Sequence, residues 1–322
     1  MFSAISRSEG IMDDNMISRN CALCTSQLKE VLYEAVLPSG ITIAATVHSQ
    51  YREPGDPSWW RYRIVNCMNC GHIYADPVFN PHHVADSYIT QDHDNHFGID
   101  SDILMRTHNG YARIVAPFLP QKRETQVDIG CDTGSFIRAT RCFGFKHVIG
   151  VEPGQQVARE AARIAGVKIL PILFDHRDFD RHSIQLASMI HVLDHLMAPR
   201  QFLAGLRSLM DRDGVVLAVV HNIDSWVALF SGKHWSPIGV MHYDFYTPKT
   251  LRQLFEAEHF RVMAIRLTAN YFPISHIIRF APYIPAQLRK WLYLKANGSM
   301  LKNVVLRLKL GNIAIIARPC PS

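Results

Sequence analysis

From Thr125 onward the chain alternates two kinds of hydrophobic pattern. Short apolar runs, TQVDIG, HVIGVE, VKIL, IQLASMIHVL and VVLAVV, read as buried strands. Between them stand segments of helical period: GSFIRATRCFGF, ending near Gly144, GQQVAREAARIAG, stopped by Gly166, and PRQFLAGLRSLMDRDG, with Gly214 as its C-terminal signal. Thr247-Pro248 starts a further helix through TLRQLFEAEHF, a capping hydroxyl followed by proline at the first position. RVMAIRL and NIAIIAR close the chain as two more strands. Strands alternating with helices predict a mainly parallel α/β sheet. Ahead of it, residues 1–20 are polar and expected to be mobile. Residues 21–75 lie between two cysteine pairs and hold the β-like runs ITIAATV and WWRYRIV. Residues 76–124 form a connector rich in His, Asp and Asn. The main domain is residues 125–322, with an insertion at 271–301 before the last strand.

Composition narrows the class. The chain has 322 residues, 48% hydrophobic and 19% charged, enough to bury a full core and unlike a disordered chain. No apolar stretch reaches the ~18–20 residues of a spanning helix. The start, MFSAISRSEGIMDDN, lacks the apolar centre of a signal peptide, so a soluble cytoplasmic protein is expected. Charge is unevenly placed. Every acid lies at or before Glu258, while residues 261–322 carry ten Lys or Arg. That basic end suits an anionic partner, whether a phosphate group, a lipid surface or nucleic acid, or else forms a solvated face. ISHIIRF and LRKWLYLK in the insertion are amphipathic and basic, with Trp291 and Tyr293 as interfacial candidates. The insertion is expected either to cover an acceptor site or to make peripheral contact with an anionic membrane, with a dimer helix as the alternative.

Seven cysteines in so long a chain do not make a disulfide scaffold. Four of them form two C-x₂-C units, Cys21 with Cys24 and Cys67 with Cys70. Each unit places two thiolates on one ion, and two units complete a tetrahedral zinc site with no open position, hence a structural one. Gly71 suits the tight turn after the second pair. Cys131, Cys142 and Cys320 have no partner at such spacing.

VDIGCDTGSF places Asp128, Gly130, Asp132 and Gly134 where the first strand of the main domain meets its first helix. Glycines there let a ligand approach the backbone. Glu152 ends the second strand, where a carboxylate can accept ribose hydroxyls. Loop and acid together point to an adenosine-containing cofactor, although neither the dinucleotide nor the P-loop fingerprint is met.

On these residues the chain resembles the class I S-adenosylmethionine-dependent methyltransferases, in the branch that carries an N-terminal zinc-binding module. VDIGCDTGSF and GVEPG resemble that family's first two motifs. MIHVLDHLMAPRQFLAGLRSLMDRDGVVLAVVHN resembles its fourth strand, acid-His pair, helix and fifth strand, and NCMNCGHIYADPV resembles the knuckle before the fold. The resemblance implies a Rossmann-like seven-stranded sheet preceded by a small zinc module, with S-adenosylmethionine and zinc as bound groups. Asp128, Gly130, Asp132 and Gly134 would cradle the methionine part of the cofactor, Glu152 would hold the ribose, and His191 would lie by the sulfonium. Asp132 stands where many relatives have Gly or Ala. Asp175, Asp178 and Asp180 all lie in the stretch expected to contact the adenine amine.

Members of the branch often act on sugars, so a small acceptor, sugar or nucleotide-sugar, is expected. His242, in the loop after the fifth strand, corresponds to a functional His in sugar C-methyltransferases of the branch. It is the candidate acceptor-side base, with Tyr243 as a second polar group and His195 as competitor. Gly239-Val240-Met241 precede His242 and the accompanying Glu is missing, which counts against C-methylation. The DHDNH run from Asp92 to His96 lacks regular ligand spacing. Two other functions remain open: an RNA methyltransferase, favoured by the basic end but lacking an [ND]-P-P-[YF] signature, and a zinc-bearing interaction protein with a degenerate methyltransferase fold.

Overall fold

The structure, a computed structural model, describes residues 16–38, 60–80, 101–281 and 283–320. Its first five strands are β1 (Met16–Ile17), β2 (Lys29–Tyr33), β3 (Ile64–Cys67), β4 (Ile73–Ala75) and β5 (Val78–Phe79). They build the cysteine-bearing module, in which β1 pairs with β5 and β2-β3-β4 form an antiparallel ladder. The main domain follows with β6 (Thr125–Ile129), β7 (His147–Val151), β8 (Lys168–Leu170), β9 (Ile184–Ile190) and β10 (Met210–His221). A short β11 (Asp244–Phe245), β12 (Phe260–Leu267), the pair β13 (Asn270–Pro273) and β14 (Val305–Leu308), and β15 (Asn312–Pro319) complete the strands. Helices α1 (Ser101–Val115), α2 (Ser135–Ala139), α3 (Gln155–Ala165), α4 (Pro199–Leu209), α5 (Trp226–Ser231), α6 (Pro248–Ala257), α7 (Ile274–Arg279) and α8 (Ala286–Asn297) alternate with them.

Seven strands form the main sheet in the order β12-β15-β10-β9-β6-β7-β8. The run from β10 to β8 is parallel, and β15 enters antiparallel between β10 and β12. This is the mainly parallel α/β sheet expected from the alternating pattern, with the seven strands of the Rossmann-like sheet that the resemblance implies. Ile184, Leu186, Ala187 and Met189 of β9 are fully buried, as a central strand covered on both faces requires. α3 turns Val157, Ala158, Ala161 and Ala165 to the core and stops where Gly166 takes φ +63°. α6 starts as expected, with Thr247 capping the Thr250 amide and Pro248 in the first turn.

Four local expectations are corrected. Gly214 is not the stop of α4, which ends at Leu209. It lies within β10, where the register shifts between Met210 and Val215. A Cβ at Gly214 would sit 2.7 Å from the Ile184 carbonyl oxygen, so close approach to β9 requires the glycine. The connector contains a real helix, α1, whose buried face of Tyr111, Ala112 and Val115 is masked in sequence by polar and His residues. Residues 16–20 are structured, because β1 pairs with β5 and Arg19 is buried. ITIAATV and DHDNH lie outside the described residues. The excursion between β12 and β15 runs wider than 271–301, framed by β13 and β14. It is anchored to α1 by Tyr111 Oη donating to Asn270 Oδ1 (2.8 Å) and by the Tyr271 amide donating to Thr107 Oγ1 (3.0 Å). Leu288, Trp291, Leu294 and Met300 of this excursion are exposed. No helix among the described residues is long and apolar enough to cross a membrane.

The module is joined to the main domain by a shared sheet. β11 pairs antiparallel with β4, setting Asp244 opposite Tyr74. Asp244 has no solvent exposure. Its carboxylate takes Arg19 Nη2 at 3.0 Å and His72 Nε2 at 2.8 Å. Burial works to raise the Asp244 carboxyl, but the Arg19 guanidinium and His72 outweigh it and hold the group below the usual carboxylate range. One apolar core runs through both parts and includes Leu23, Val65 and Tyr74 together with Val127, Met189 and Val220.

Asp244→Ala leaves Arg19 buried without its counter-charge, so the protein is expected to lose about 3–5 kcal/mol of stability in denaturant titration. Because the Asp244 pKa is depressed in the folded state, its contribution is intact above about pH 4. It fades as the pH falls through the folded-state value.

Candidate functional site

The loop leaving β6 has a backbone that few side chains tolerate. Gly130, Asp132 and Gly134 take φ of +65°, +45° and +74°. A Cβ on Gly130 would meet Val192 Cγ2 at 2.5 Å, and one on Gly134 would meet Ala165 Cβ at 3.0 Å. Asp132 is among the residue types that reach the left-handed region at modest cost, so its departure from Gly or Ala is sterically consistent. Glu152, just past β7, braces this loop. Its Oε2 accepts from the Asp132 amide and its Oε1 from the Gly154 amide, both at 3.1 Å. Asp128 lies buried at the loop's base and accepts from Ser188 Oγ at 2.6 Å. Burial, helped by the nearby Glu152 and Asp132 charges, pushes its carboxyl up to about 7 against that hydrogen bond. The structure therefore brings Asp128, Gly130, Asp132, Gly134 and Glu152 together. Of the acids considered for the adenine, Asp175 caps a turn and is engaged by Arg177.

At the C-terminal ends of β9 and β10 a second group converges. Asp194 is 1% exposed and sits in the single turn Leu193–His195 that follows β9. Its Oδ2 takes His221 Nδ1 at 2.7 Å and faces His242 Nε2 at 3.9 Å, while its Oδ1 faces His195 Nε2 at 4.0 Å. Ring centroids of His195 and His242 are 4.4 Å apart, those of His191 and His221 4.4 Å, and those of His221 and His242 4.9 Å. His191 opens the cluster with φ +54°, and Asn312 Nδ2 donates to its Nε2 at 3.2 Å. Backbone bonds hold the two loops in register: the Tyr243 amide donates to the Asp194 carbonyl at 2.8 Å, and the Ala75 amide donates to the Tyr243 carbonyl at 2.9 Å.

These surroundings set the charges. Burial opposes ionisation of Asp194, and the surrounding histidines, His221 foremost, reverse that and hold the carboxyl well below its usual range. Burial pushes His191 down to about 3. Burial, then His195, pushes His242 well below the ordinary imidazole value. Tyr243 does not join the histidines through its ring. The ring stacks on Tyr62 at 6.3 Å, and burial pushes its hydroxyl up to about 12. Sequence reasoning missed His221 and Asn312. His221 ends β10 in VVHN, and the rule that α/β sites gather at C-terminal strand ends would have singled it out.

The four cysteines of the two C-x₂-C units also converge. Cys21 and Cys70 sulfurs are 3.5 Å apart, as are those of Cys24 and Cys67, and all four lie within 4.8 Å of one another without a disulfide. Gly71 takes φ +76° and its amide donates to the Cys67 carbonyl, closing the knuckle. Sulfurs bound to one tetrahedral zinc at about 2.3 Å stand just under 4 Å apart, so this donor set fits the ion.

The sheet order and the glycine loop after β6 define a Rossmann-like α/β fold. A family model described as "Methyltransferase domain" matches residues 105–265, half of the chain, and the chain belongs to that family. It is a class I S-adenosylmethionine-dependent methyltransferase. No curated protein matches the sequence. Among solved structures, it is similar to a chain of the complex between the Haloferax volcanii Trm112 methyltransferase activator and a methyltransferase. The identity is 14% over 69% of this chain and 94% of that one, with a TM-score of 0.48. It is also similar to a SAM-dependent methyltransferase from Archaeoglobus fulgidus, at 17% identity over 68% of this chain and 94% of that one, with a TM-score of 0.46.

Proposed function

We propose that this methyltransferase acts on a small sugar or nucleotide-sugar acceptor seated at the histidines around Asp194. The observation that carries the reading is adjacency. Val192, between His191 and the Asp194 turn, lies directly against Gly130 of the cofactor loop. A molecule resting on the histidines therefore borders the cofactor. Imidazole and carboxylate groups bond hydroxyls in either direction, which suits a polyhydroxylated acceptor. The acid-free stretch after Glu258 suits the phosphates of a nucleotide-linked one.

S-adenosylmethionine, when bound, supplies a methyl group on a positively charged sulfur. The glycine loop leaves its backbone open to such a ligand. Each Glu152 oxygen takes one amide and retains acceptor capacity for ribose hydroxyls. His191 keeps a buried Nδ1 that makes no hydrogen bond to the protein. On the acceptor side, His242 and His195 orient the acceptor or take its proton. His221, held by Asp194, joins them in the way a carboxylate fixes a catalytic imidazole. Tyr243 contributes through its backbone amide. In the module, Cys21, Cys24, Cys67 and Cys70 hold one structural zinc.

Elemental analysis is expected to find a zinc bound to that module. Cys67→Ser should lose it and destabilise the module, since metal binding and folding are coupled. A wild-type protein without zinc overturns that assignment. Glu152→Ala should weaken S-adenosylmethionine binding by about 2–4 kcal/mol in calorimetry while the fold persists. Equal affinity would remove Glu152 from the site. A methyl-transfer screen over nucleotide-sugars, read by product mass, is expected to give a product. Methylation of RNA alone would replace the sugar reading. On the identified acceptor, His242→Ala, His195→Ala and His221→Ala are compared side by side. Loss of the true base lowers turnover by roughly 10²–10⁴ with cofactor affinity unchanged.

A further inference from the structure

We propose that Asp194, His195 and His242 form a second metal site, for a divalent first-row transition ion, with coordination left open toward the acceptor. The ligand atoms of these three residues lie within 4.8 Å of one another. Two donors on one such ion, each about 2.0–2.2 Å from it, stand roughly 3–4 Å apart. His195 Nε2 is 4.0 Å from Asp194 Oδ1, and His242 Nε2, 3.9 Å from Oδ2, belongs to the same group within 4.8 Å, so a modest movement closes the site.

The surroundings select this set from the wider cluster. The other possible set, His191 with Asp194 and His221, is spent in part, because His221 Nδ1 is already taken by Asp194 Oδ2. Asp194 Oδ1 is buried and accepts no hydrogen bond, an expensive state for a carboxylate oxygen that a cation would relieve. His195 also hydrogen-bonds the Met241 backbone. His221 fixes the far oxygen of the ligating carboxylate. Both contacts are the outer-shell bonds that orient metal ligands. Two imidazoles and one carboxylate make an incomplete set, and the side chains of His195 and His242 are 22% and 17% exposed, so the remaining positions can be reached. An acceptor hydroxyl is the ligand those positions suit. That part rests on the proposed methyl transfer at this cluster, and there His242 and His195 orient the acceptor through the ion rather than taking its proton.

The test is cobalt(II) titration of the full chain after mild chelation, followed by absorption and by metal counting. The cysteine site reports through intense thiolate-to-metal bands, whereas a histidine-carboxylate site gives only weak visible bands. Wild type is expected to bind a second equivalent with the weak-band signature. His242→Ala should weaken that equivalent at least tenfold. The His195→Ala/His242→Ala double variant should lose it and keep the thiolate bands. A wild-type protein that saturates at the cysteine site, or a double variant that still binds both equivalents, overturns the proposal. If the double variant does not fold, the wild-type count and its spectrum decide alone. Cofactor affinity and methyl transfer are measured on the same preparations, so failure of the metal site is distinguishable from failure of the sugar reading.

Discussion

A carboxylate sealed from water must find cations or donors inside the protein, and Asp244 does so across the boundary between two parts of the chain. Arg19 comes from the stretch before the first cysteine pair and His72 from the second knuckle, while Asp244 itself follows the loop after β10. Removing any one partner strands the others in a low-dielectric interior. The cysteine module is therefore part of the methyltransferase body. β11 extends the module's own ladder, and the two parts share one apolar core.

That junction lies one residue from the loop that carries His242. Tyr243 gives its carbonyl to Ala75 of the module and its amide to the Asp194 carbonyl in the turn after β9. The placement of His242 against Asp194 thus depends on how the module folds around its cysteines. A metal on Cys21, Cys24, Cys67 and Cys70 would act on the acceptor side at a distance, by holding β4 and the knuckle in place. This gives a structural role for the module in a family whose cofactor chemistry belongs to the sheet.

The glycine loop and the histidine cluster meet along β9. Ser188 in that strand fixes Asp128 beneath the glycine loop, Val192 just past it touches Gly130, and Asp194 two residues later gathers the histidines. Burial at this edge lowers His191 and His242, while His221, hydrogen-bonded to Asp194, helps hold that carboxyl below its usual range. A carboxylate ringed by imidazole nitrogens is a ligand set as much as an acid-base one.

Local sequence determined the periodic elements, the glycine loop, Glu152 and the paired cysteines, because each is set by spacing over a few residues. A run such as IQLASMI, short and flanked by polar Ser183 and His191, favours a buried strand in a sheet covered on both faces. Two C-x₂-C units meet wherever their strands fold back. Tertiary structure alone decided what depended on residues distant in the chain. α1 was hidden because its buried face is made by packing and not by a clean period. Gly214 has the local signature of a helix stop, but β9 lying against it sets its place within β10. Arg19, in a polar tail, became buried because Asp244, 225 residues later, required a cation. His221 looked like the end of an apolar strand, and Asp194 like half of a motif. Only the neighbouring ends of β9 and β10, together with the loop held by the cysteine module, made them one site. A histidine's role is set by the groups facing it in space, and their positions are a property of the folded chain.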